Sequence, residues 1–82
     1  MKKSIFTVVD TAAEIYGHPF YMTNKAVAIR DFHFACQDKT TTIGRNPEDF
    51  HLMYVGEFDD VLCAFDILAT PERIASGFQS KE

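Results

Sequence analysis

A chain of 82 residues that is 46% hydrophobic and 13% aromatic is too apolar to stay unfolded, and it suffices for one domain over residues 1–82 with a core near the lower limit of independent stability. Its formal net charge of -4, from 12 acids against 8 bases, argues against a bulk polyanion binder and leaves room only for a local basic groove. Small domains complete their cores by pairing, so a homo-oligomer, a dimer in the first instance, is expected.

Lys3 to Asp10, KSIFTVVD, is rich in β-branched residues and reads as a strand. Both of its faces are apolar, which predicts a central strand or one covered on both sides. Asp10-Thr11 opens a loop, Gly17-His18-Pro19 signals a turn, and Phe20-Tyr21-Met22 is a short extended piece. Thr23 or Asn24 is placed to cap a helix running to about Gln37, because such side chains accept from the free amides of a first turn. Ala28, Ile29, Phe32, Ala35 and Cys36 form its core stripe, and Val27, Arg30 and Phe34 a second stripe beside it. A large ring on that flank suits a chain interface, so Val27 and Phe34 are the candidate interface residues.

Residues 38–46, DKTTTIGRN, are polar and predict a flexible loop, with Pro47-Glu48-Asp49 as a single helical turn. His51 to Phe58 alternates as a strand, with Leu52, Tyr54 and Phe58 on one face and His51, Met53, Val55 and Glu57 on the other. Gly56 interrupts it, as a bulge or a close backbone approach does. Asp59-Asp60 breaks the run, and Val61 to Leu68 follows as a second strand. Thr70-Pro71-Glu72 has the chemistry of a helix start, with the helix ending at Gly77. The expected architecture is α+β: a small, mainly antiparallel sheet of about three strands, one principal helix packed on it, and a short C-terminal helix.

Little in the chain carries covalent chemistry. The acids of 47–49 and 57–60 fit a helix start and a hairpin turn, and the spacing of a calcium loop is absent. His33 and Cys36 share a helical face, but a closed zinc site needs two further ligands and only Cys63 remains among cysteines. Cys36 and Cys63 lack CxxC spacing and predict two buried, reduced thiols. The lysines at the start are followed by an apolar run that Asp10 cuts short, so neither a secretory leader nor a membrane span is expected. No nucleophile elbow or phosphate loop occurs, so the expectation is a non-enzyme without metal or cofactor. The bases Lys25, Arg30, Lys39 and Arg45, with Tyr16 and Tyr21 as stacking rings, form the candidate nucleic-acid-binding set, since single-strand binders pair a positive groove with aromatics.

Several segments in order carry a resemblance: Ile5-Phe6-Thr7-Val8-Val9-Asp10, then Pro19-Phe20, Ala28-Ile29-Arg30-Asp31-Phe32, Pro47-Glu48-Asp49-Phe50 and Gly56-Glu57-Phe58-Asp59. Together they resemble the small nonstructural protein of gokushovirus-type microviruses, phages with circular single-stranded DNA. The similarity covers most of the chain and weakens over the last fifteen residues or so; the hairpin departs from it, with Val61-Leu62 where family members often have Thr-Gly. The resemblance implies a protein made in the host bacterial cytoplasm, absent from the mature virion and acting in viral genome replication or single-strand production. It supplies no catalytic residues. Two functions follow as expectations: binding of single-stranded DNA, or a protein-interaction module that recruits or restrains a phage or host replication or packaging protein.

Overall fold

A computed structural model describes residues 1–77 and shows a curled antiparallel sheet of five strands. Strand β1 (Lys2–Asp10) is central. One of its edges pairs with β2 (Ile15–Tyr16) and, further along, with β3 (Phe20–Met22); the other pairs with β4 (Phe50–Asp59), which in turn pairs with β5 (Ala64–Ser76). Helix α1 (Lys25–Gln37) crosses one face, followed by the short α2 (Thr42–Arg45) and a 3-10 turn at Pro47–Asp49.

The expected fold class needs correcting. The sheet has five strands instead of about three, and among the described residues no C-terminal helix forms: residues 70–76 belong to β5. There Arg73 pairs with Met53, Ala75 with Leu52 and Ser76 with His51, so burial of Ala75 beside Leu52 overrides a local helix-start signal. Pro71 is accommodated because Leu68 to Pro71 bulge out of the ladder, between the pairs Gly56–Ile67 and Tyr54–Glu72, on an edge strand. The predicted strand from Val61 starts at Ala64, and Val61, Leu62 and Cys63 lie in the turn. Cys63 is exposed there with φ 55°, so only Cys36 meets the expectation of burial. The loop over 38–46 contains α2, capped by Thr41, whose Oγ1 accepts from the Gly44 N–H at 2.9 Å.

Strands β1, β3 and β4 and helix α1 form where the residues predict them, whereas β2 lies in a stretch read as loop. Asn24 caps α1, its Oδ1 accepting from the Val27 N–H at 2.9 Å. Ala28, Phe32 and Cys36 then meet Phe6, Phe50, Leu52 and Ala75 in the core, with Phe20, Met22, Ile43 and Tyr54 around them. Phe6 and Leu52 are fully enclosed, each worth roughly 1.5–3 kcal/mol of hydrophobic stabilisation. Gly77 packs so closely on the Pro47 backbone that a side chain there would strike the Pro47 carbonyl.

One irregularity decides the faces. Val55 is the extra residue between the pairs Phe6–Tyr54 and Ile5–Gly56, so alternation along β4 reverses there. Leu52 and Tyr54 face the helix, whereas Phe58 faces the other side with Met53 and His51, contrary to the alternation read from the sequence. Gly56 sits at this point with φ 157°, against the Asp66 carbonyl and 2.9 Å, measured from an added Cβ, from the Ile67 Cα. Only a residue without a side chain fits that approach.

Candidate nucleic-acid interface

The reversal builds an aromatic surface on the helix-free face. Cross-strand partners share a face. Lys3 pairs with Phe58, Phe58 with Phe65, Ile5 with Tyr21 and with Gly56, and Val9 with Tyr16. Tyr21 and Phe58 meet edge to face at 6.0 Å between ring centroids, and Phe58 and Phe65 at 4.8 Å. Tyr21 is 49% exposed and Phe65 59% exposed, while Ile5 beneath them is buried. A row of three rings therefore runs from β3 across β4 to β5. Lys3 stands in the same face, and Arg73, opposite Met53, adds a second cation further along.

Beside the row, Met1, Lys2, Lys3, Tyr21, Met22 and Thr23 line a cleft of about 420 Å³. The other side of the same hairpin is acidic: Glu57 pairs with Asp66 and with Ser4, and Asp59 with Lys2. A smaller cleft of about 200 Å³ there is lined by Lys2, Glu57, Asp59, Asp66, Leu62, Ala64 and Phe65. Alternation thus segregates Phe58 and Phe65 from the carboxylates Glu57, Asp59 and Asp66 within ten residues of chain.

The acids at the ends of the hairpin act on the backbone. Asp59 Oδ1 accepts from the Val61 N–H at 2.9 Å and the Leu62 N–H at 3.3 Å, and these two bonds hold its carboxyl below the ordinary range. Asp60 accepts from the N-terminal amine at 2.7 Å, which lowers its pKa likewise. Asp38 is lowered by the Thr40 hydroxyl and then by the Thr40 N–H, in the turn before α2. Among the described residues no three His, Cys, Asp or Glu side chains converge in a metal-holding group. Nor, among them, is any helix long and apolar enough to cross a membrane.

The sequence-derived residues fall into two separate groups. Tyr16 and Tyr21 lie on the helix-free face. The four bases belong to the helical layer. Lys25 lies over the Tyr54 ring at 4.4 Å and pairs with Glu72 at 3.5 Å; Arg30 lies 3.7 Å from Asp31. Lys39 Nζ donates to the Gly44 carbonyl at 3.2 Å, and an Arg45 guanidinium nitrogen to the Thr40 carbonyl at 3.4 Å. Val27 is half-buried, while Phe34 is 67% exposed in a groove with Ala26, Ile29, Arg30, His33 and Gln37. Sequence reasoning missed Lys3, Phe58, Phe65 and Arg73. The available signal was Gly56: a bulge there moves Phe58 to the face of Ile5 and Lys3.

Fold and surface together define a small curled β protein with one helical layer and an exposed aromatic face. Residues 3–80 match the Phage ORF5 protein family, and the chain belongs to that family. No curated protein and no solved structure matches it.

Proposed function

We propose that this phage protein is a non-enzymatic binder of single-stranded DNA, acting in viral genome replication or single-strand production. On this reading it is a nonstructural protein of a gokushovirus-type microvirus, working in the host bacterial cytoplasm and left out of the virion. The observation that carries the reading is the row Tyr21–Phe58–Phe65 beside Lys3 on a face that neither helix covers. Unpaired bases stack on such rings at roughly 1–3 kcal/mol each, without regard to sequence, while nearby cations take the phosphates. Duplex DNA hides its base faces, so single strands are favoured.

The acidic net charge is compatible with this function because the carboxylates of the hairpin project from its other side. Few phosphates are engaged, so the salt dependence is moderate. With Lys3 and Arg73 as about two phosphate contacts, a log–log slope near −1.4 is expected, or roughly a 7-fold loss between about 50 and about 200 mM salt. Fluorescence anisotropy of a labelled oligothymidine of about thirty nucleotides tests the reading. Binding that weakens with salt and with Tyr21→Ala supports it; no binding at tens of micromolar protein in low salt rejects it. In that event the exposed Phe34 groove favours the second function, recruitment of a phage or host replication or packaging protein.

A further inference from the structure

Five large apolar residues left exposed, Val61, Leu62, Phe65, Ile67 and Leu68, fall within one stretch of eight. They belong to the end of the β4–β5 hairpin, beyond the core that α1 covers. Their uncovered area is on the order of 500 Å², at the upper end of what a monomer leaves in one patch. The hairpin also ends the sheet: β5 has no strand partner on its outer edge among the described residues, and Ala64 to Leu68 carries a single charge, Asp66. Edges that must stay single are blunted by lysines, prolines or short length. Here Pro71 lies beyond the apolar segment, and no lysine interrupts it.

We infer that a second copy of this chain pairs with the outer edge of β5, antiparallel and about a two-fold axis perpendicular to the sheet. Such an axis pairs one residue with itself and keeps the aromatic faces of both copies on the same side. Centred on Phe65 or Ile67, the register sets Asp66 across from Ala64 or Leu68 of the second copy, so no like charges oppose each other. Centred on Asp66 it would place two carboxylates in contact. The exposed Val61, Leu62, Ile67 and Leu68 flank the paired backbone and add apolar area toward the ~800 Å² per partner of a stable interface, while the ring of Phe65 stays on the open face. Between residues 57 and 68 the hairpin carries Glu57, Asp59, Asp60 and Asp66 and no base, so pairing should strengthen as salt screens these carboxylates. For the DNA-binding reading, on which only this consequence rests, pairing joins two ring rows into one platform and gains avidity along a strand.

Sedimentation and light scattering at increasing concentration test the pairing. The expected mass is twice the 9.3 kDa of one chain, falling to 9.3 kDa for the double variant Ile67→Lys/Leu68→Lys with unchanged far-ultraviolet circular dichroism. Phe34→Glu, on the helix, leaves the mass doubled. If the double variant does not fold, hydrogen exchange of the wild-type chain decides: amides of residues 64–68 gain protection as concentration rises. A wild-type mass of 9.3 kDa throughout, a dimer that survives the lysines, a dimer lost with Phe34→Glu, or amides of 64–68 indifferent to concentration would each overturn the inference. A monomer that still binds oligothymidine would refute the pairing alone; a dimer that does not bind would refute the DNA reading alone.

Discussion

The two halves of the sheet are built from the same strands and differ in what covers them. Under α1, Phe6, Leu52, Phe32 and Ala75 are buried and the rings of Phe6, Phe20 and Tyr54 meet inside the core. Past Gly56, the rings of Tyr21, Phe58 and Phe65 make the same kind of contact at the surface. Aromatic packing in the first region holds the fold; in the second it leaves ring faces available. The boundary is a bulge: one extra residue in β4 together with four in β5 turns the next ring of β4, Phe58, from the core side to the exposed face.

The sharpest way to break this contrast is to shorten rings on either side of it. Phe6→Ala removes a fully enclosed ring and should cost about 3–5 kcal/mol, enough to unfold a domain of this size, as urea denaturation will show. By contrast, Phe65→Ala should change stability by about 1 kcal/mol or less while costing DNA binding roughly 1–3 kcal/mol, a 5- to 150-fold rise in Kd by anisotropy. Gly56→Ala attacks the boundary itself. It forces the Asp66 carbonyl away and should cost more than about 1 kcal/mol in thermal unfolding, with weaker DNA binding because Phe58 loses its place. Asn24→Ala should cost about 1 kcal/mol by removing the cap of α1, and should leave oligothymidine affinity unchanged.

The smallest effect concerns pH. The Asp59 carboxyl is held below its ordinary value of 3.8 by the amides of the turn. A group whose pKa is lowered by folding contributes stability above its unfolded pKa and loses it as pH falls through the folded one. The melting-temperature difference between the wild-type chain and Asp59→Ala should therefore be greatest above about pH 5 and shrink on acidification below about pH 4. A difference that grows in acid would contradict the assignment of Asp59 to the turn.

Legibility in the sequence follows from how local each signal is. The Asn24 cap and the stripe of Ala28, Phe32 and Cys36 are local, and α1 forms there. The β-branched run of β1 is local too. Thr70-Pro71-Glu72 was equally local and misleading, because the partner that decides its conformation, β4, lies some twenty residues earlier. Strand alternation fails at a bulge, and simple alternation therefore puts Phe58 on the wrong face, although Gly56 marks the place. Tyr21 was legible as a ring on an extended piece. Its neighbours Phe58 and Phe65 come from two other strands, and only pairing register brings them together.

The most direct test of the account is amide chemical-shift mapping of the isotopically labelled protein titrated with oligothymidine. The aromatic-face account predicts the largest shifts at Lys3, Tyr21, Phe58 and Phe65, with Arg30, Lys39 and Arg45 in the helical layer unmoved. Shifts concentrated on the helical layer, with the ring row silent, would contradict it.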